Sequence, residues 1–246
     1  VTRWLVLRFD APMMSFGGIA VDERNPTMRF PGRSMVAGLL ANAVGYDHRE
    51  VPRIQALQDR LRHAVRVDVE GEVHLDYQTV DLGDVGMRDG GWTTWGRVED
   101  RAGGAAARLG THIRYRDYVT NAVYTVLVTL DRATEAPTLD EVRAAVERPA
   151  RPLFLGRKAC LPSAPLVDPV VFVDGSDPVV ALRAVPRARR PGRRPEPERW
   201  TGWVDGDGSE PDRSVRIADL RDWANQVHTG RRWVREVSEP WEVRHG

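Results

Sequence analysis

The chain opens with apolar residues packed into a short, loosely alternating run, Trp4-Leu5-Val6-Leu7-Arg8-Phe9, in residue types that favour the pleated backbone; this predicts a first β-strand. A glycine-bearing loop follows, Met13-Met14-Ser15-Phe16-Gly17-Gly18. After Pro31-Gly32 the period changes: Met35, Val36, Leu39, Leu40 and Val44 fall at helical spacing, and Gly45 stands where a helix stops. A second helix is predicted from about Pro52, with Ile54, Leu57 and Leu61 on one face. Strand-like runs return at 64–69, 73–80, 111–118 and 123–128. Thr138 and Glu141 form a capping box ahead of Leu139, Val142 and Val146, which predicts another helix.

Two stretches break the pattern. Residues 81–110 hold eight glycines with Trp92 and Trp95 and no sustained apolar period, which reads as a projecting hairpin. Residues 183–199 hold seven arginines and four prolines against Glu196 and Glu198, which predicts a loop. Beyond residue 148 the chain is mostly strand-like, with a helix signal at 217–227 and a last strand near 231–237. The order predicts an α+β protein whose ferredoxin-like (RNA-recognition-type) palm spans 1–80 and 111–150, with an antiparallel sheet covered by helices on one face. The palm carries a thumb hairpin at 81–110, and 151–246 forms a β-rich C-terminal extension.

Composition narrows the partners. The net charge is +1, far from the excess of a free nucleic-acid binder. Of 36 basic residues only Lys158 is a lysine. A GC-rich coding preference accounts for such a bias, yet guanidinium forks also pair with phosphate and stack on bases. No apolar run approaches the roughly 20 residues of a membrane span. Val1-Thr2-Arg3-Trp4 lacks the order of a secretory signal, and the single Cys160 forms neither an internal disulfide nor a zinc site alone. A cytoplasmic protein with no membrane partner and no cofactor is expected.

Several short patterns, in one order, carry a family likeness. They are Leu5-Val6-Leu7-Arg8-Phe9-Asp10-Ala11-Pro12-Met13-Met14-Ser15-Phe16-Gly17; Arg29-Phe30-Pro31-Gly32-Arg33-Ser34 with Gly38-Leu39-Leu40-Ala41; Asp76-Tyr77-Gln78-Thr79-Val80; Tyr115-Arg116-Asp117-Tyr118-Val119; and Leu153-Phe154-Leu155-Gly156-Arg157-Lys158-Ala159-Cys160-Leu161-Pro162. Together they resemble the type I-E branch of the CRISPR-associated protein five family, over roughly the first two thirds of the chain. The resemblance implies a non-catalytic subunit of a type I-E Cascade surveillance complex in antiviral defence. Such a subunit caps the 5′ handle of the guide RNA, touches the backbone and large subunits, and meets target DNA through the complex.

Candidate RNA contacts follow from residue chemistry and from that likeness. Arg29, Arg33 and Ser34 stand at a helix start, where unpaired N–H groups receive phosphate; the plainer reading is a serine cap between two solvated arginines. Arg114, Tyr115 and Arg116 alternate along a strand, so the arginines point one way and the tyrosine the other; a core tyrosine with solvated arginines is the alternative. Arg116 matches the family pattern best. Gly156-Arg157-Lys158 reads as a phosphate clamp. Met14 and Phe16 are either a base contact or ordinary core, and Trp92 and Trp95 are assigned to the thumb.

The rival reading is a metal-independent endoribonuclease that processes precursor RNA, as type I-C relatives do. It would draw on His112, Tyr46, His48 and Lys158, which do not fall into the type I-C Tyr/Lys/His pattern. There is no P-loop, no dinucleotide glycine fingerprint and no zinc-ligand spacing among the histidines. A purely structural protein, with arginines at protein interfaces, is the third possibility; salt dependence of RNA affinity separates it.

Overall fold

The alternating start folds as β1 (Arg3–Asp10), whose Leu5, Leu7 and Phe9 enter one core while Trp4 and Val6 enter another on the opposite face. The computed structural model describes residues 1–81, 91–92, 98–99, 111–189, 197–210 and 212–241. Two short strands follow, β2 (Met13–Met14) and β3 (Arg24–Asn25), then helix α1 (Arg33–Val44). Gly45 ends α1 at φ +95°, the left-handed turn that glycine adopts without strain. Helix α2 (Val51–Arg60) begins with proline in its first turn and leads into β4 (Leu61–Val69) and β5 (Glu72–Asp81). Next come the short pair β6 (Gly91–Trp92) and β7 (Val98–Glu99), then β8 (Thr111–Thr120) and β9 (Val123–Leu130).

Helix α3 (Leu139–Glu147) carries the expected capping box in full: Glu141 N–H donates to Thr138 Oγ1, and Thr138 N–H donates to the Glu141 carboxylate at 2.7 Å. The rest comprises β10 (Val167–Asp174), α4 (Pro178–Ala184), β11 (Arg199–Gly206), β12 (Ser214–Ile217), β13 (Arg221–Asp222), β14 (Val227–His228) and β15 (Arg232–Pro240). The protein is a mixed α+β fold. No helix among the described residues is long and apolar enough to cross a membrane.

A seven-stranded antiparallel sheet runs β10-β1-β9-β4-β11-β15-β12. Helices α1, α2 and α3 cover one face through Val36, Leu40, Leu57, Val142 and Val146. The chain beyond 148 was expected to be mostly strand-like; instead α4 forms there and covers the other face, setting Val179 and Leu182 against Trp4, Val6, Leu127 and Trp200. That second face also buries ions: Asp68, fully buried, accepts from Arg66 Nε at 2.7 Å and from Thr125 Oγ1 at 3.0 Å, and it pairs with Arg8.

The strands at 73–80 and 111–118 pair with each other outside that sheet. β5 and β8 run antiparallel from Glu72↔Thr120 to Asp81↔Thr111, with β2 and β3 on the far edge of β8. Within the stretch expected to form a thumb, Gly91↔Glu99 and Trp92↔Val98 pair as a hairpin ladder; Trp95 lies outside the described residues, as do 190–196 of the arginine-rich stretch. The helix expected at 217–227 is absent. Asp222 Oδ1 accepts from the N–H groups of Ala224 and Asn225, Gln226 turns the chain at φ +59°, and β13 folds back on β14.

Candidate nucleic-acid interface

A groove of about 580 Å³ opens where α1 meets three segments distant in sequence. Its floor is the α1 face bearing Ser34, Met35, Gly38 and Asn42. One wall is built from the loop at 15–18 together with Phe154, Gly156, Arg157 and Lys158; a second wall carries Arg221, Trp223 and His228. Among the described residues, three permanent cations and a histidine line this space, and no carboxylate residue does.

The first wall is held by backbone. Ser15 N–H donates to Leu155 O at 3.0 Å, and Leu155 N–H donates to Cys160 O at 2.8 Å. Gly156 sits at φ +106°, and a Cβ there would lie 1.6 Å from Ser15 O, so only glycine permits the contact. Arg157 spends two donors on carbonyls, Asp117 O at 3.1 Å and Asn25 O at 2.9 Å, with its guanidinium 4.8 Å from the Tyr118 ring. Those contacts hold its charge without neutralising it. Lys158 is exposed. Cys160 is buried, and burial pushes its thiol up.

The second wall is clamped to the helices. Gln58 of α2, 2% exposed, donates to Arg221 O at 2.9 Å and accepts from Trp223 Nε1 at 3.2 Å. Gly38 lets the indole edge reach α1: a Cβ there would stand 3.1 Å from Trp223 Cη2. His228 is largely exposed, yet partial desolvation and the nearby Arg221 charge lower its pKa.

Below the groove, Asp219 does what a phosphate was expected to do at the start of α1. It is 1% exposed, and its carboxylate accepts from Arg33 N–H at 2.7 Å and from Arg232 at 2.7 and 2.8 Å; its carbonyl accepts from Ser34 N–H at 3.0 Å. Arg33 and Arg232 also share Asp205, at 2.7 and 2.6 Å. Burial alone would push the Asp219 carboxyl up, but the Arg232 guanidinium and the Arg33 N–H hold it below the usual carboxylate range. His63 lies fully buried beside this cluster; desolvation pulls its pKa to about 4, so the neutral ring donates from Nε2 to Pro31 O at 3.1 Å.

Of the residues singled out in the sequence, Phe16, Ser34, Arg157 and Lys158 meet at the groove. Arg33 is turned inward to Asp205, and Ser34 is nearly buried, its N–H taken by Asp219, so that turn offers no free helix terminus. Arg29 remains exposed, 3.8 Å from Glu236. Met14 is sealed in the core, and Phe16, 1% exposed, packs edge-on to Tyr124. Arg116 shares its row with Asn25, a groove residue, so Arg114 and Arg116 continue the groove face along β8. Tyr115 turns to the opposite face, between Tyr77 and Arg24. Neither Tyr46 nor His48 lines the groove that holds Lys158, and the His112 side chain lies outside the described residues. The residues that sequence reasoning missed are Arg221, Trp223 and His228.

A family model described as CRISPR-associated protein (Cas_Cas5) matches residues 4–235, nearly the whole chain. The chain belongs to the Cas5 family. This Cas5 chain is 34% identical over 185 residues to the CRISPR system Cascade subunit CasD of Escherichia coli (strain K12), covering 73% of this chain and 75% of that protein. A solved structure described as a CRISPR RNA-guided surveillance complex contains a similar chain, with TM-score 0.64, 26% identity, and 96% of this chain and 90% of that one covered. Another, described as a crystal structure of a Cas protein, gives 0.63 and 25%, over 97% and 95%. The family match extends past the segments that carried the sequence resemblance and takes in the hairpin bearing Arg221 and Trp223.

Proposed function

We propose that this Cas5 chain is the subunit of a type I-E Cascade surveillance complex that anchors the 5′ handle of the guide RNA without cutting it. The observation that carries this reading is the groove: Arg157, Lys158 and Arg221 line it with no carboxylate among its described lining residues, and the Arg116 face of β8 continues it. Such a surface suits a single strand whose phosphates meet cations while its bases are splayed. The strand order β10-β1-β9-β4, with helices between β1 and β4 and between β9 and β10, supports a ferredoxin-like palm. The β6–β7 ladder supports a thumb in 81–110, and β11, β12 and β15 support a β-rich extension within 151–246. The near-neutral charge fits a subunit whose remaining surface meets the backbone and large subunits.

Filter-binding titration with handle RNA tests the assignment. Arg116→Ala and Lys158→Ala should each weaken binding by about 1–3 kcal/mol. Wild-type affinity in both variants would sink it. The second reading, metal-independent RNA cleavage, gains one observation, that His228 and Lys158 share the groove. Incubation with labelled repeat RNA without metal separates the two: retention of an intact strand supports anchoring, and cleavage abolished by His228→Ala would make the chain a processing ribonuclease.

A further inference from the structure

Among the described residues, Arg221 is the most unusual cation. Its Nε is buried and has no hydrogen-bond partner, and its Nη2 donates to Gln226 Oε1 at 2.6 Å. The guanidinium lies 5.3 Å from the Trp223 ring. The carboxylates nearest in sequence are committed elsewhere: Asp222 to Ala224, Asn225 and the Asn225 amide, and Asp219 to Arg33 and Arg232. Arg33 also has a buried Nε without a partner, but its charge is met by Asp205 at 2.7 Å. Arg8, Arg66 and Arg232 are likewise paired to carboxylates. Burial lowers the Arg221 pKa, and no anion among the described residues offsets that cost.

A half-buried cation with no counter-charge is costly, and an arriving anion removes the penalty. The position is also preorganised. Gln58 holds the backbone at Arg221 from both sides, through Arg221 O at 2.9 Å and Arg221 N–H at 3.2 Å, while Gln226 orients the guanidinium. Because Arg221 and Lys158 line the same groove, a phosphate lying there meets cations from two segments distant in sequence.

We infer that Arg221 is a phosphate ligand of this groove, held in place by Gln58 and Gln226, and that the C-terminal hairpin is thereby part of the binding site. This rests on the reading that the groove holds RNA. The phosphate is either an internal diester or a 5′-terminal monoester, which share the chemistry that Arg221 recognises.

The test measures binding of the full-length chain to handle RNA carrying either a 5′-hydroxyl or a 5′-phosphate, across a salt series, for wild type, Arg221→Ala, Arg221→Lys and Lys158→Ala. Arg221→Ala should bind about 10-fold more weakly, with a log–log salt slope shallower by about 0.7, and Arg221→Lys should restore the slope. Loss on both RNAs assigns an internal diester; loss confined to the 5′-phosphate RNA assigns the terminal group. A weakened variant with the wild-type slope would mean that Arg221 only supports the hairpin, and it overturns the inference. If Lys158→Ala weakens binding while Arg221→Ala does not, the inference fails alone. If neither matters, the groove reading fails with it.

Discussion

Asp219→Ala tests whether the groove is assembled by a buried carboxylate. Asp219 satisfies the Arg33 N–H and two nitrogens of Arg232, all within 2.8 Å, at a site 1% exposed. Removing it leaves Arg33 and Arg232 with Asp205 alone, so two guanidinium groups share one carboxylate, and the first N–H of α1 loses its acceptor. Hydrogen bonds to charged groups contribute about 1.5–3 kcal/mol each, and breaking a buried pair costs about 3–5 kcal/mol. Because Asp205 remains, the lower end applies, and about 3–4 kcal/mol is expected. Urea unfolding followed by tryptophan fluorescence measures it, with melting lowered by roughly 6–16 °C. RNA affinity should fall as well, since the chain leading into β13 is released. The pH dependence has a definite sign. The Asp219 pKa is depressed in the folded state, so its contribution is present above the ordinary carboxylate pKa and is lost as pH falls through the folded value. A loss under about 1 kcal/mol, within the range of surface substitutions, would refute the argument that this carboxylate holds the groove together.

Gly156→Ala should displace the 155–158 turn, because its Cβ would stand 1.6 Å from Ser15 O at φ +106°; a lower melting temperature and weaker RNA binding are expected together. Gly38→Val should push Trp223 off α1 and lower RNA affinity more than stability, read by comparing titration with urea midpoints. His63 is held neutral with its pKa near 4, whereas the unfolded chain takes up a proton below about 6.5; stability should therefore decline by up to about 3 kcal/mol between those pH values. His63→Asn should flatten that part of the urea-midpoint profile.

Where the signal is local, the sequence was readable. Thr138 and Glu141 cap α3 as their spacing implies, Gly45 ends α1, and the apolar run in β1 forms a central strand. The misread hairpin shows why local patterns fail. Ile217, Leu220, Trp223 and Val227 have near-helical spacing, yet Asp222 diverts two N–H groups to its own side chain, and Asp219 is drawn into the interior by Arg33 and Arg232. Helix α4 escaped notice because it is short, although Asp177 caps it and Pro178 opens it. Of the cations that line the groove, Arg157 and Lys158 stood out in the sequence through their surrounding pattern. Arg221 did not, because its importance comes from the carboxylates it lacks, and only the folded arrangement reveals that. Likewise no spacing rule anticipates that Arg33, 186 positions before Asp219, would find its acceptor there.

That separation bears on how the protein is made. The floor of the groove and one wall are translated early, but the acceptor that finishes the start of α1 and the second wall emerge only near residues 219–228. Domains fold from the N-terminus as synthesis proceeds, so a nascent chain lacking those residues has part of its sheet but an unfinished cleft. On the proposed function, RNA capture therefore waits for residues 219–228, and a chain cut short before them is barred from occupying an RNA that a longer chain needs.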